Sequence, residues 1–468
     1  MRLLLASLLL AVPALAQDLA LRDVHVIDVA AGAVVPGQTV VITDGRIVAV
    51  GDDAVVPDGV ETVDGRGRYL MPGLWDMHAH ARHPVAPTVI LPQIVAHGIT
   101  GVREMASGCD GGAGPVCLDQ MREWGRQVEA GELLGPRLIE LSSVPFNPPW
   151  DHEVTEDEAR GFVREAHGRG ADLIKTYYRL SPEALGWVAD EADALGIYAG
   201  GHLPLAMTTA EAAEAGLRSV EHTRDLLFDC FPGSAAFRSE ARSQTPPTDV
   251  MRAMVEDHDP ALCDATFQAM VAHGTAYVPT HVTRRMDAFA DDPAFRDDPR
   301  RRYLPAIVWD QWQADADRMV ALDSSAAGRA ASRAFHRLGL DLTRRAHEAG
   351  VTVLLGTDGG DTYSFFGSSA HDELGLLVEA GLSPAAALAA ATIRPAEFIG
   401  RDGDFGTVET GKHADLVLLR ANPLADVKNV REIDAVVLGG RLHDRDALDA
   451  MLADVEATIA TMDAGGPR

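Results

Sequence analysis

Positive charge is scarce in this 468-residue sequence, which has 41 lysine and arginine residues against 69 aspartate and glutamate residues. The formal net charge is −28 at pH 7. A protein with that charge repels the phosphates of DNA and RNA, so we do not expect nucleic acid as a partner. The charge favours solubility but identifies no substrate. The sequence leaves open both a monomer and a homo-oligomer.

Long apolar runs are missing after the first residues, so we expect no membrane span in the rest of the chain. Residues 1–17, MRLLLASLLLAVPALAQ, combine one early charge, an apolar segment and a small-residue ending at Ala14 and Ala16. This pattern is typical of a secretory signal peptide over residues 1–16, cleaved between Ala16 and Gln17. We therefore expect a secreted or periplasmic protein.

Cysteine is also rare, and the sequence has four: Cys109, Cys117, Cys230 and Cys263. Their spacing does not resemble that of a zinc knuckle. In an oxidising compartment an even number of cysteines favours disulfides. The simplest pairing joins Cys109 to Cys117 and Cys230 to Cys263.

Two sequence patterns divide the chain. Residues 17–72 and 401–445 contain short alternating apolar runs, with a hairpin signal at Asp44 and Gly45, and predict one small discontinuous β domain. Residues 73–400 alternate strand-like runs with helical stretches, which predicts an α/β fold. Eight candidate strands, and hence a (β/α)8 barrel, lie at 74–80, 100–106, 137–144, 172–178, 197–203, 219–223, 276–282 and 351–358. A C-terminal helix is expected over residues 446–468.

The first candidate strand ends with two histidines, His78 and His80, one residue apart. Residues i and i+2 of a strand share one face, so both rings should project together from its C-terminal end. Two neutral imidazoles side by side can bind one cation. Two unrelated polar residues would give the same pattern, so this interpretation depends on further ligands.

Other residue types that can bind metals follow later candidate strands. Catalytic groups of a (β/α)8 barrel gather at the C-terminal ends of its strands, so we expect these residues to share one rim with His78 and His80. Each also has a structural explanation by itself; Asp358, for example, could cap a helix. The residues are Lys175, His202, His222 and Asp358.

Lysine is nearly absent, since the sequence has only Lys175, Lys412 and Lys428. Because arginine fills almost every other cationic position, a lysine at the end of a buried strand indicates a need for a primary amine. A desolvated amine can lose its proton and react with carbon dioxide, whereas a guanidinium stays charged. The resulting carbamate could bridge two metal ions. A packing role or a surface ion pair is the alternative for Lys175.

The motifs PGLWDMHAH, DLIK, GHLP, SVEHT, LLGTDGG and GKHADLVLL occur in this order. Together they resemble the amidohydrolase superfamily, in particular its imidazolonepropionase-like and metal-dependent dipeptidase-related branch, over about residues 20–445. The resemblance implies a distorted (β/α)8 TIM barrel with a small discontinuous β-sandwich domain and a binuclear metal centre. One metal ion would bind His78, His80 and Asp358, the other His202 and His222, and carboxylated Lys175 would bridge them.

Zinc is the expected ion, because imidazole and carboxylate ligands suit it. Imidazolonepropionase itself resembles a one-metal member without this lysine, so the arrangement is more similar to dipeptidases. A metal-bridging hydroxide would cleave an amide or peptide bond of a small molecule, a dipeptide or an N-acyl amino acid, with Asp358 as the catalytic proton carrier. A lactone, ester or organophosphate hydrolase and a noncatalytic ligand-binding barrel are the alternatives.

Candidate substrate contacts lie near the same strand ends. Tyr177, Tyr178 and Arg179 follow Lys175 and could bind a substrate carboxylate. Arg224, which follows His222, is another candidate, although a loop salt bridge is the commoner role of such an arginine. The histidines that follow the last two candidate strands could contact substrate or serve only in packing. These candidates are Tyr177, Tyr178, Arg179, Arg224, His281 and His371.

Overall fold

A computed structural model of the chain describes residues 18–107 and 117–465. The predicted signal peptide lies outside these residues, as does Cys109 of the first predicted disulfide. The strands are β1 (Leu19–Asp28), β2 (Ala33–Thr43), β3 (Arg46–Gly51), β4 (Glu61–Asp64), β5 (Tyr69–Pro72), β6 (Leu74–Ala79), β7 (Ile99–Glu104), β8 (Arg137–Leu141), β9 (Leu173–Thr176), β10 (Tyr198–Gly201), β11 (Leu217–Glu221), β12 (Ala276–Val278), β13 (Leu416–Leu419), β14 (Ile433–Leu438) and β15 (Arg441–Asp444).

Helices separate most strands after β6. They are α1 (Leu91–Ala96), α2 (Leu118–Glu129), α3 (Glu156–Gly168), α4 (Pro182–Ala194), α5 (Thr209–Glu214), α6 (Thr223–Leu227), α7 (Ser234–Glu240), α8 (Thr248–Glu256), α9 (Pro260–His273), α10 (His281–Phe289), α11 (Pro293–Arg296), α12 (Ala306–Leu322), α13 (Ala326–Glu348), α14 (Ser368–Ala380), α15 (Pro384–Ala390), α16 (Ile393–Phe398) and α17 (Arg445–Gly465). Shorter helical turns of other types occupy Ala86–Ile90, Pro299–Tyr303 and Val427–Arg431.

Strands from both ends of the chain form one sheet. Its order is β15-β14-β13-β5-β1-β2-β3, with β4 beside β1. Asp44 and Gly45 both have positive φ, at 50° and 74°, and make the predicted hairpin between β2 and β3. Antiparallel pairing of β13 with β5, for example Val417 with Met71, joins the two ends. Within the described residues this is a single sheet, so its division into a sandwich stays a prediction.

The middle of the chain forms two parallel sheets, β6-β7-β8 and β12-β11-β10-β9, with helices between successive strands. Seven of the eight predicted strands are present; six are shorter than predicted, and β11 has the predicted length but begins two residues earlier. Isolated parallel bridges link the sheets, because Ser142 pairs with Leu173 and Phe146 pairs with Thr176. The arrangement is TIM-barrel-like, and the C-terminal ends of its parallel strands face one rim.

The eighth predicted strand, 351–358, does not form as a regular strand; within it only Val353 makes a bridge, to Tyr277. The segment still bonds to both sheets, since Leu354 N donates to Tyr277 O at 2.9 Å and Met77 N donates to Leu355 O at 2.8 Å. Its end departs from extended geometry because Asp358 has φ of 56°. This irregular end lies beside the C-terminal end of β6, where the predicted site begins.

Two further contacts fix the elements around that rim. The predicted disulfide between Cys230 and Cys263 is present and ties the segment after α6 to the first turn of α9. Ala306 N, at the start of α12, donates a hydrogen bond of 2.9 Å to Asp463 Oδ1 on α17.

Among the described residues, no helix combines the length and the apolar character needed to cross a bilayer.

Candidate active site

The residues predicted to bind metal ions lie around one cavity at the rim. His78 ends β6 and His80 follows it; the Nε2 atoms of these rings lie 3.4 Å and 2.8 Å from Asp358 Oδ1. His78, His80 and Asp358 offer donor atoms that all lie within 4.8 Å of one another. The structure thus brings the first predicted ligand group together.

The second predicted group lies next to the first. His202 follows β10, His222 follows β11, and their Nε2 atoms face each other at 3.1 Å. Lys175, on β9, is 1% exposed, and its Nζ lies 3.3 Å from His78 Nε2. Within the described residues Lys175 forms no ion pair, although Lys412 pairs with Glu409 at 3.0 Å. A buried amine in contact with a histidine ligand occupies the position expected of the bridging group.

Burial keeps three of the histidines neutral and brings the lysine closer to its neutral form. It lowers the pKa of His78 to about 4, with help from the charge of Lys175, and places the pKa values of His202 and His222 well below the ordinary histidine value. Burial likewise lowers the pKa of Lys175 to about 8. Neutral imidazole and neutral amine are the forms needed for metal binding and for carboxylation.

His80 and Asp358 behave differently because they pair with each other. Burial disfavours the charged form of His80, but hydrogen bonds with Asp358 and Glu104 outweigh it and raise its pKa to about 9. Burial also opposes ionisation of Asp358, but the nearby histidines hold its pKa well below the ordinary value. A bound cation would displace the proton of His80 and become the counter-charge of Asp358.

A buried carboxylate orients the first histidine. His78 Nδ1 donates to Glu221 Oε2 at 2.8 Å, which leaves Nε2 facing Asp358 and Lys175. Burial opposes ionisation of Glu221, but the charge of Arg103 and the His78 bond outweigh it and lower its pKa to about 2. Arg103, fully buried, donates to Glu221 Oε1 at 2.8 Å. Such second contacts fix the tautomer of a metal-binding histidine.

Backbone strain is concentrated at the same rim. His222, Thr280 and Asp358 have φ values of 68°, 46° and 56°, a region that residues other than glycine seldom adopt. The Thr280 side chain bonds to His222 Nδ1 at 2.8 Å. Strained residues of this kind cluster at functional sites, where the surrounding structure holds them.

The donor set fits divalent metal ions. Ligand atoms about 2.1 Å from a tetrahedral zinc ion lie about 3.4 Å from one another. Separations of this size occur at the site. The Nε2 atoms of His78 and His80 lie 3.4 Å and 2.8 Å from Asp358 Oδ1. The Nε2 atoms of His202 and His222 lie 3.1 Å apart. Two imidazole nitrogens that face each other at this distance can share one N–H hydrogen bond or bind one cation together.

The cavity has a volume of about 720 Å³, and His80, Lys175, His202, His222 and Asp358 open onto it. Two of the predicted substrate contacts, Tyr177 and Arg224, also lie on its wall. The Tyr177 ring packs edge-on against His202, with centroids 4.1 Å apart. Burial raises the pKa of Tyr177, so its hydroxyl stays protonated.

The other predicted substrate contacts lie outside the cavity lining. Arg179 donates to Asn147 Oδ1 at 2.9 Å and stacks on Tyr178, so these two residues pack together on the rim. His281 is fully buried and bonds to Thr343 Oγ1 at 2.8 Å. His371 bonds to the His97 carbonyl oxygen at 2.8 Å and faces a different cleft.

The sequence interpretation missed Glu221, Arg103 and Glu104, although each had a visible signal. All three are charged residues at the C-terminal ends of short strands, and all three are fully buried. A buried charge needs a partner, so its presence in a core strand indicates a network. The cavity arginines Arg82 and Arg284 carried no comparable signal, since arginine is common throughout the chain.

Comparison with known families identifies the chain. The sequence profile described as "Amidohydrolase family" matches residues 69–443. The chain belongs to the amidohydrolase family. The superfamily predicted from the motifs is therefore confirmed.

Individual relatives match this amidohydrolase over short stretches. Adenine deaminase 3 of Rhizobium meliloti is 38% identical over 86 residues, which are 18% of this chain and 14% of that protein. Imidazolonepropionase of Shouchella clausii is 36% identical over 103 residues, 20% of this chain and 22% of that protein. The chain thus matches less than a quarter of the length of either curated relative.

Solved structures are similar over nearly the whole amidohydrolase chain. A bottromycin amidohydrolase superimposes with a TM-score of 0.70 and 23% identity, covering 94% of this chain and 90% of that one. A Xaa-Pro dipeptidase with bound methionine gives 0.62 and 20%, covering 92% and 100%. These proteins share the fold.

Proposed function

We propose that the protein is a binuclear metal-dependent amidohydrolase that cleaves an amide or peptide bond of a small substrate, a dipeptide or an N-acyl amino acid. The observation that carries the proposal is the convergence of His80, His202, His222, Asp358 and buried Lys175 on one cavity. His78 lies directly behind them, with its Nε2 atom 3.3 Å from Lys175 Nζ and 3.4 Å from Asp358 Oδ1. Membership of the amidohydrolase family supports the reaction class.

The residues divide into two ligand groups. His78, His80 and Asp358 would hold one divalent ion, and His202 with His222 would hold the other. Carboxylated Lys175 would lie between them: its neutral Nζ adds to carbon dioxide, a nitrogen–carbon bond forms, and one proton leaves. Zinc suits this set of nitrogen and oxygen donors.

Metal ions bound there would acidify a water molecule and polarise the carbonyl carbon for attack. Asp358 takes one proton from the attacking water and returns it to the leaving nitrogen as the carbon–nitrogen bond breaks. Its side chain is 14% exposed, so it can exchange a proton with a molecule in the cavity. Glu221 and Thr280 hold the rings of His78 and His222 in place.

Metal removal and one substitution test the proposal. The zinc-loaded protein should hydrolyse members of a dipeptide and N-acyl amino acid panel, lose this activity with a chelator and regain it with zinc. Asp358→Asn should retain the wild-type circular dichroism spectrum and lower turnover by about 10²–10⁴-fold. Unchanged turnover would refute the role of Asp358. Hydrolysis of lactones, esters or organophosphates alone would contradict the amide assignment, and absence of tightly bound metal would favour a noncatalytic barrel.

We also infer two properties of the whole chain. The hydrogen bonds that segment 351–358 makes to both parallel sheets support a distorted, closed (β/α)8 barrel over residues 73–400, with the terminal strands as its β-sandwich domain. The N-terminal pattern and the Cys230–Cys263 disulfide support export to the periplasm or the medium, because structural disulfides persist in oxidising compartments. N-terminal sequencing of the secreted protein would test the cleavage after Ala16.

A further inference from the structure

The cavity wall has two chemically distinct sides. One side, which we name the arginine side, consists of Arg82, Arg224 and Arg284. The other side, which we name the apolar wall, consists of Val89, Ile90, Leu304, Val308, Trp312 and Phe366. A ligand that spans the cavity must therefore match a cationic surface and a hydrocarbon surface at once.

Two of the three arginines on the arginine side pair with acids that lie off the cavity wall, Arg224 with Asp225 and Arg284 with Asp287. Arg82 forms no ion pair within the described residues. Arg224 is 9% exposed and bonds weakly to Gln244 and Asp225, at 3.3 Å and 3.4 Å. Arg224 and Arg284 both line the cavity.

These cations are notable in a protein with a net charge of −28. The carboxylates on the cavity wall, within the described part of the chain, are Asp358 and Asp361. Asp358 belongs to the proposed metal site, so Asp361 is the remaining carboxylate that faces the cavity beside three arginines. Guanidinium groups that face a cavity bind carboxylates well, because they offer several N–H donors in a planar fork. The arginine side therefore favours an anionic group on the ligand.

The apolar wall comes from two separate segments that meet over the cavity. Val89 and Ile90 belong to the helical turn Ala86–Ile90, and Leu304, Val308 and Trp312 lie at or within the start of α12. Trp312 is 4% exposed and packs edge-on against Phe365, with ring centroids 5.1 Å apart. Side chains of this kind bind hydrocarbon, and the aliphatic ones among them offer no partner to an ammonium group.

We propose that the substrate is an N-acyl amino acid with an extended apolar acyl chain: its free carboxylate lies between Arg224 and Arg284, and its acyl chain lies along the apolar wall. The scissile amide then faces His80 and Asp358. An unmodified dipeptide fits less well, because within the described cavity wall Asp361 is the one carboxylate outside the proposed metal site that could pair with its α-ammonium group. This inference rests on the proposed function and selects one of its two substrate classes.

A substrate series tests the inference. We would measure kcat/KM for N-acetyl-, N-hexanoyl- and N-decanoyl-L-alanine, for the matching carboxamides, and for alanyl-alanine. Each buried methylene should raise kcat/KM by about fourfold until the apolar wall is covered. The carboxamides should react at least about tenfold more slowly than the acids, because they lose the charge-assisted bonds to arginine.

The outcomes separate the two proposals. Equal rates for acetyl and decanoyl substrates, or faster cleavage of alanyl-alanine, would overturn this inference and leave an amide hydrolase in place. Hydrolysis of none of these amides by the zinc-loaded protein would refute the proposed function itself. A rising series with slow carboxamides would support both.

Matched variants locate the two contacts. Val308→Gln should lower the ratio of decanoyl to acetyl kcat/KM by about tenfold, whereas Ile307→Gln should leave it unchanged, because Ile307 is 69% exposed on the same helix. Arg284→Gln should lower the ratio of acid to carboxamide kcat/KM.

Binding of decanoate should also change the tryptophan fluorescence, since Trp312 lines the cavity. Val308→Gln should weaken the binding of decanoate. Ratios equal to the wild type in both variants would contradict the assignment.

Discussion

At the scale of single residues, Glu221 and His222 are adjacent in the chain but serve different parts of the site. Glu221 holds the His78 ring, and His222 faces His202. Successive residues of a strand normally point to opposite faces. The positive φ of His222 interrupts that alternation, so both side chains reach the cavity region. One dipeptide therefore contributes to both proposed metal positions.

This arrangement predicts an effect of Glu221→Gln. Glutamine keeps the size of the side chain. It removes the negative charge that balances Arg103 and that fixes the tautomer of His78. Affinity for the metal ion should fall by about 10–100-fold, measured by competition with a zinc-binding dye. Glu140→Gln is the matched control, because burial raises the pKa of Glu140 to about 7 and its neutral form is already populated. Equal zinc affinity in both variants would contradict the orienting role of Glu221.

The lysine makes a second prediction at this scale. Lys175→Ala should lower the bound metal measured by elemental analysis, because the proposed bridging group is lost. A short carboxylic acid such as propionate should restore part of the activity by occupying the position of the carbamate. Lys412→Ala removes another buried lysine, one that pairs with Glu409, and should leave metal content unchanged. Full metal content in Lys175→Ala would count against the bridge.

At the scale of elements, the disulfide between Cys230 and Cys263 closes a loop that contains α7 and α8. The two cysteines are 33 residues apart, and a loop of this length restricts the unfolded chain considerably. Replacing both cysteines by alanine should lower the free energy of unfolding by about 2–4 kcal/mol, measured by urea denaturation. An unchanged denaturation midpoint would mean that the unfolded chain is already restricted without the bond.

The elements also indicate how far sequence reasoning reaches. The alternation of strand-like runs with helical stretches predicted eight strands, of which seven form, and placed the predicted ligand residues at one rim. The eighth segment could not be predicted as irregular, because the bend at Asp358 depends on its tertiary contacts: the His78 carbonyl oxygen accepts from Asp358 N at 2.7 Å. His281 and Arg179 lie near the right strand ends, but only packing decides whether such a side chain faces the cavity.

At the scale of the whole molecule, Asp372 joins distant segments. Its carboxylate pairs with Arg285 on α10 at 2.9 Å, with Arg300 before α12 at 2.9 Å, and with Arg431 after β13 at 2.6 Å. Burial raises the pKa of Asp372, but these three charges outweigh it and hold that pKa well below the ordinary value. One side chain thus links the barrel-like part to the terminal sheet region.

This link predicts a pH dependence of stability. A carboxyl group whose pKa is lower in the folded protein than in the unfolded chain stabilises the fold at pH values above its unfolded pKa of about 3.9. This stabilisation is lost as the pH falls toward the pKa of the folded state. Asp372→Asn should therefore be less stable than the wild type at pH 7, by about 2 kcal/mol, and should lose less stability between pH 4 and pH 2. Urea midpoints across this range measure the effect. Asp449→Asn, in an exposed pair with Arg445, is the control. Parallel wild-type and Asp372→Asn curves would contradict the link.

The pairing of β5 with β13 has a consequence for biosynthesis. The outer edge of β5 has no neighbour until Leu419, far along the chain, has left the ribosome. For most of translation the nascent polypeptide therefore presents an open strand edge, which is a template for association with other chains. A product terminated within the barrel-like part would keep this edge exposed permanently, so we expect early stop codons to yield insoluble material rather than a folded fragment.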